Sequence, residues 1–229
     1  MEQIIEGFKS ALSLIASFDP ELISIVSLTL FVTIAATAMA AVISIPLGIF
    51  LGIKDFPLKS LVVRILYTFM SLPPVIVGLF VFLLIVRRGP LGGLGILFTA
   101  TAMIIAQFLL VTPIITGIVY NGTLEKGRDI KNLGKTLGAS RLQLLLLLIR
   151  ELRIEIFAGI ISGYGRAISE VGAVMIVGGN IQGHTRVMTT AIAMLRSMGD
   201  YEMAIALGLV LLALSFIINF ALYHFQQKA

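Results

Sequence analysis

Two charges stand in the middle of an apolar stretch that reads Gly159-Ile160-Ile161-Ser162-Gly163-Tyr164-Gly165-Arg166-Ala167-Ile168-Ser169-Glu170-Val171-Gly172. On a continuous helix Arg166 and Glu170, four apart, share one face. Each costs about 2.5–3.5 kcal/mol at a bilayer centre, so both are expected to face a bundle interior, as a structural ion pair or as part of a pathway or gate with Ser169 between them. A carboxylate repels an anionic solute, which makes Glu170 the holder of Arg166 or a gate element sooner than a ligand. Downstream, Gly178-Gly179-Asn180-Ile181-Gln182-Gly183-His184-Thr185-Arg186 is a glycine-rich turn. Such a turn either reverses the chain tightly or presents N–H groups that cup an oxyanion, with Gly179, Asn180, Thr185 and Arg186 as the candidate residues. It is no nucleotide loop, because no Gly-Lys-Ser/Thr follows it. Pro73-Pro74 removes two backbone donors inside an apolar run, as a kink or as a break lining a pathway. Gln107, also within an apolar run, reads as an interhelical hydrogen-bonding group, with a place along the pathway or gate as the alternative.

No catalytic constellation is present. His184 and His224 are the 2 histidines and cysteine is absent, so no metal site, disulfide or thiol chemistry is expected, and no set of nucleophile and base converges.

One stretch cannot live in lipid. Asn132 to Arg153 reads NLGKTLGASRLQLLLLLIRELR, a basic, partly helical loop between apolar spans. It is expected to be a surface gripped from the cytoplasm.

The elements that must position these residues are membrane helices. The 229 residues are 58% hydrophobic and 13% charged, with a mean hydropathy of +1.05, which excludes a soluble domain of this size. The net charge of +5 does not point to nucleic acid, since the basic residues flank apolar spans and form no aromatic-interleaved patch. Five spans of adequate length are expected, over about 22–52, 61–86, 94–120, 154–177 and 201–225, with Asp200 capping the last. Residues 4–18 suit a short amphipathic interfacial helix, not a signal peptide: no basic segment precedes the short apolar run, which ends at Asp19-Pro20. Placing the N-terminus outside and the C-terminus in the cytoplasm puts Lys54, Lys59, Arg64, Lys126, Arg128, Lys131, Lys135, Arg141, Arg150, Arg153 and Lys228 inside, against Lys9, Arg87, Arg88, Arg186 and Arg196 outside. The positive-inside bias selects that orientation. Short linkers join the spans into a single transmembrane domain, 1–229, with a cytoplasmic loop at about 121–153.

The loop Leu133–Arg141, with Gly138 following Leu137 and Gly134, resembles the cytoplasmic EAA loop of ABC importer permeases. Asn132, Leu133 and Gly134 stand where Glu-Ala-Ala is usual, and Glu151 where a proline is common. Thr29–Gly48 resembles the Thr…Ala…Ile-Pro-Leu-Gly first span of the family, and Leu72-Pro73-Pro74-Val75-Ile76-Val77-Gly78 the break of its molybdate and sulfate members. Gly163 to Ala173, Gly178-Gly179-Asn180 and His184 to Ile192 are similar to tungstate-type permeases.

The resemblance implies an all-α membrane protein of the MetI-like permease fold and a homodimer in the cell membrane. It implies two ABC ATPase subunits on the cytoplasmic side and an extracytoplasmic oxyanion-binding protein outside. ATP and Mg would be held by the ATPase, with no cofactor in this chain. Asn132, Leu133, Gly134, Lys135, Gly138, Ala139, Ser140 and Arg141 would form the ATPase-coupling loop. Tungstate is the expected solute, by alternating access, with molybdate, sulfate and phosphate as alternatives. A motor-independent channel or secondary transporter is the rival class and would call for more ionisable groups at mid-membrane. A purely structural scaffold would leave Arg166, Glu170 and the double proline without a role.

Overall fold

A computed structural model describes residues 2–227, with residues 2–7, 219 and 221–227 described by backbone alone; Met1, Lys228 and Ala229 lie outside the described residues. Every regular element among them is helical: α1 (Glu2–Ala16), α2 (Pro20–Ile53), α3 (Lys59–Met70), α4 (Pro74–Ile85), α5 (Ala100–Thr136), α6 (Arg141–Glu151), α7 (Arg153–Ile168), α8 (Gly172–Gly178), α9 (Met188–Met198) and α10 (Tyr201–Gln227). Of these, α2, α5 and α10 are long and apolar enough to cross a membrane unaided, and the count reaches 5 when each of two broken pairs, α3 with α4 and α7 with α8, is one span.

The breaks decide between the two readings of Pro73-Pro74 and correct the continuous helix expected across Arg166 and Glu170. The second span is not one helix kinked at its centre: α3 ends at Met70, Pro73 is extended at φ −62° and ψ 126°, and Pro74 opens α4. At a first helical position a proline forfeits no helical hydrogen bond, so the sequence that looked costly mid-helix is at ease at a helix start. The fourth span is likewise interrupted, since α7 stops at Ile168 and α8 starts at Gly172. Arg166 lies in the last turn of α7 and Glu170 lies beyond it, so the two do not share a helix face. The third span begins later and ends later than its hydropathy suggests. Gly92–Leu94 forms a 3-10 turn ended by Gly95 at φ 61°, and α5 then runs without interruption from Ala100 through the charged segment to Thr136.

The chain divides into two compact units. Of the described residues, the first holds 2–36, 73–107 and 167–218; the second holds 37–72, 108–166 and 219–227. In the first, α4 packs on α8 so closely that a Cβ on Gly78 would lie 2.6 Å from the Ala173 backbone. Its core includes Val32, Val81, Met103, Val174, Val177, Met188 and Leu207. Asp19 caps α2 through Oδ1, which accepts the Glu21 and Leu22 N–H groups at 3.0 Å, and Asp200 Oδ1 accepts from Met203 N at 3.3 Å at the head of α10, as expected.

In the second unit, α2 and α5 meet at Gly48 and Gly52. A Cβ at Gly48 would lie 2.8 Å from that of Val119, and one at Gly52 would lie 2.5 Å from that of Thr123. Glycine four residues apart lets the two backbones approach as they do in tightly packed membrane helices. On α5 the buried Thr116 and Thr123 hydroxyls donate to carbonyls four residues back, at 2.8 and 2.7 Å, and so cost little in an apolar core, whereas the buried Thr37 hydroxyl on α2 has no hydrogen-bond partner.

Candidate functional site

The expected coupling segment is a helical hairpin lying wholly within the second unit. Helix α5 ends in a Schellman turn: Gly138 N–H donates to the Lys135 carbonyl at 3.0 Å and Ala139 N–H to the Gly134 carbonyl at 2.9 Å. Gly138 takes the left-handed conformation, φ 73°, that this turn demands. Ser140 then caps α6, accepting from Gln143 N–H at 3.4 Å while Gln143 Oε1 accepts from Ser140 N–H at 2.8 Å, a reciprocal capping box. Gly134 is where α6 folds back, since a Cβ there would lie 2.9 Å from Leu144 Cδ1. Around this turn Leu133, Leu137, Leu142 and Leu146 are all more than half exposed. Four exposed leucines on a basic hairpin make an apolar knob with a charged rim, the composition of a surface that docks against another protein. Asn132, Lys135 and Arg141 supply polar groups around the same turn.

Pro73, Pro74, Gln107, Ser169, Glu170, Gly179, Asn180, Thr185 and Arg186 all belong to the first unit, whereas Arg166 belongs to the second. Within the first unit they fall into two groups. One gathers where the two breaks face each other. Gln107 Nε2 donates to the Ala167 carbonyl at 3.2 Å, and a Cβ on Gly172 would lie 2.7 Å from Val75 Cγ2, beside Pro74. Glu170, only 4% exposed, accepts from Ala173 N–H at 3.1 Å through Oε1, and its carbonyl accepts from Thr189 Oγ1 at 2.7 Å. Glu170 therefore ties the broken backbone to the start of α8 and to α9. Gln107 Oε1 is buried without a hydrogen-bond partner.

The other group is the glycine-rich turn. Gly179 and Asn180 are both left-handed, φ 73° and 52°, and a Cβ on Gly179 would meet Phe98 at 2.8 Å. The N–H groups of His184, Thr185 and Arg186 all point to the Ile181 carbonyl, at 2.9–3.1 Å. Thr185 Oγ1 accepts from Ile181 N–H at 3.0 Å and donates to the Gly178 carbonyl. The turn thus spends these donors on itself instead of leaving them open as a cup. Arg186 Nη1 reaches Glu21 Oε1 at 3.1 Å, and Gln182 Nε2 reaches the same oxygen at 2.9 Å. A 270 Å³ cavity opens beside this cluster, lined by Glu21, Ser24, Gln182, Gly183 and Arg186 among others.

Sequence reasoning did not single out Glu21, Asp55 or Glu155. Glu21 reads as a helix-start acid, and its partner lies 165 residues away. Asp55 is held by Lys59 Nζ at 3.1 Å and Arg128 Nη2 at 3.2 Å. First the Lys59 hydrogen bond and charge, then the Arg128 charge, hold its carboxyl below the usual range. Lys126 pairs with Glu155 at 2.6 Å. Among the described residues no group of three His, Cys, Asp or Glu is placed to hold a metal.

Comparison with known proteins gives a consistent result. Residues 44–229 match the family described as binding-protein-dependent transport system inner membrane component. The chain is 58% identical over 228 residues, the full length of both chains, to the tungstate uptake system permease protein TupB of Peptoclostridium acidaminophilum. It is 39% identical over 227 residues, 99% of this chain and 95% of the other, to the TupB of Campylobacter jejuni. It is 39% identical over 212 residues, 90% of this chain and 91% of the other, to a probable anion ABC transporter permease protein of Haloferax volcanii.

Proposed function

This chain belongs to the binding-protein-dependent transport system inner membrane components, and on that premise we propose that it is the multi-pass permease subunit of an ATP-driven tungstate importer. The observation that carries the solute is the 58% identity, end to end, with a tungstate uptake permease. Selection among similar tetraoxoanions falls mainly to the binding protein outside the membrane.

In this reading two copies of the chain form the pathway, with the N-terminus outside and the C-terminus in the cytoplasm. The Asn132–Arg141 turn seats in the ATPase, with the leucine knob as the apolar centre of that contact and Lys135 and Arg141 at its edge. ATP binding closes the motor, and the hairpins carry the closure into the membrane as a switch between inward-facing and outward-facing pathways. The pathway elements are the Pro73–Pro74 break and the Ser169–Glu170 break, flanked by Gln107, with Arg166 just ahead of the second break in the chain. Gly179, Asn180, Thr185 and Arg186 shape the mouth.

Uptake of labelled tungstate by cells with and without the chain tests this, with unlabelled molybdate and sulfate as competitors. Chain-dependent uptake that unlabelled tungstate blocks far better than the other two is the expected result. Equal blocking by molybdate widens the solute class, and no chain-dependent uptake of any of them overturns the reading.

A further inference from the structure

Helix α3 has no buried residue. Its packed face, Val63, Leu66 and Met70, is only half-buried, so the discrete contacts it makes weigh heavily in where it goes. Three of those contacts fall on α5. Met70, in the last turn of α3, fills the space above Gly117, where a Cβ would collide with its sulfur. Tyr67 Oη donates to Asn121 Oδ1 at 2.6 Å. Asp55, just ahead of α3 and bonded to Lys59 in its first turn, meets Arg128 at 3.2 Å. On α5 these positions are 117, 121 and 128, spacings of four and seven that return to one helix face. They run antiparallel to α3 and cover about 16 Å of α5. The same α5 continues without a break to the Gly138 turn.

We propose that α3 travels with α5 as one body during transport, keyed by Asp55–Arg128 and Tyr67–Asn121, and that these four are positioning residues for the transport stroke. The inference rests on the reading that the Gly138 turn receives the motion of the ATPase. A displacement of that turn passes up the uninterrupted α5, across the keys to α3, and along the chain to the break. There Pro73 and Pro74 hold two successive φ angles fixed, three residues past the end of α3, so little of the motion is lost in a soft linker. Asp55 and Arg128 are both exposed, and an exposed pair adds little to folding stability. Its value on this account lies in register, not in holding the fold together.

The test uses proteoliposomes holding the permease with its ATPase and binding protein, labelled tungstate, and parallel measurement of ATP hydrolysis. Arg128→Asp is expected to lower uptake per ATP hydrolysed by about tenfold with an unchanged melting temperature. Adding Asp55→Arg, which exchanges the charges, is expected to restore most of it. Normal uptake by the single variant, or no recovery in the double, overturns the proposal. The absence of cysteine permits a second arm: Tyr67→Cys with Asn121→Cys, joined by a short, reducible bifunctional linker. The paired cysteines lack the Tyr67–Asn121 hydrogen bond, so if the helices move as one body the reduced protein is impaired and joining restores uptake. Uptake that collapses on joining and returns on reduction overturns the proposal. A wild-type complex that takes up no tungstate overturns the importer reading itself and this inference with it, which separates the two failures.

Discussion

Thr185 shows how one hydroxyl can hold a loop. Only 1% exposed, it accepts from Ile181 N–H and donates to the Gly178 carbonyl, closing the turn on both sides of the left-handed Gly179–Asn180 pair. Thr185→Val keeps the shape and removes both bonds, leaving the buried Gly178 carbonyl and the Ile181 N–H without that partner. We expect a loss of about 1–3 kcal/mol in stability, read as a lower melting temperature in detergent against the isosteric control Thr116→Val, whose hydroxyl serves a single carbonyl. Asp55 gives a prediction in pH. Its folded pKa lies below the ordinary 3.8 because of Lys59 and Arg128. A depressed carboxyl contributes stability that is complete above the unfolded value and is lost as pH falls through the folded one. The melting difference between the wild type and Asp55→Asn is therefore small, as for any exposed pair, flat across neutral pH, and shrinks only below about pH 4. A difference that varied between neutrality and mild acid would mean that another group titrates there. Neither role was legible in the sequence. Thr185 was marked as a loop residue with an oxyanion in mind, and its actual partners are backbone groups that only the folded turn brings to it.

Elements carry the next level of constraint. Between α2 and α5 the fit at Gly52 leaves no room for a methyl, with Thr123 Cβ and Cγ2 both at 2.5 Å from its place. Gly52→Ala should cost about 1–3 kcal/mol through overpacking. Thr123→Gly in the same chain should return part of that, since it removes the atoms in the way; thermal melts of the two singles and the double measure the coupling. Gly138 is the opposite case. Nothing lies within 4 Å of its Cβ position, and aspartate tolerates the left-handed region better than most residues. Gly138→Asp is therefore expected to insert and fold, with uptake lost because a charge intrudes on the leucine knob, and co-purification with the ATPase weakened. Full ATP-driven uptake by that variant would remove the turn from the coupling role. The helices themselves were readable from hydropathy, but their ends were not. The break at Pro73-Pro74 could be read as one of two alternatives, but the break at Ser169–Val171 could not, because Arg166 and Glu170 at four-residue spacing mimic one continuous helix face. The run ending at Tyr120 looked like a terminus because charge begins there, yet Leu124, Glu125, Lys126, Arg128 and Lys131 are good helix formers and carry α5 on to the Schellman turn.

At the scale of the whole molecule, the sequence displays its class and hides its long-range joints. Composition and the spacing of apolar runs were enough for an all-α membrane protein, and the glycine-rich motifs near 163–192 were enough for the family. Pairings such as Arg186 with Glu21 or Arg128 with Asp55 depend on helices far apart in the chain, and no local pattern encodes them. The distribution of Lys and Arg makes a further demand. If those flanking residues set the orientation, the 137 turn faces the cytoplasm and the 198 corner faces outward. Both positions are open, Leu137 at 76% and Met198 at 72% exposure, and the chain has no cysteine of its own. Leu137→Cys and Met198→Cys therefore give two clean single-site probes. A membrane-impermeant maleimide added to intact cells should modify Met198→Cys and spare Leu137→Cys, and permeabilisation should expose the second. The reverse pattern would turn the molecule over, leaving the leucine knob on the face opposite the ATP supply, so that an ATPase could no longer be its partner.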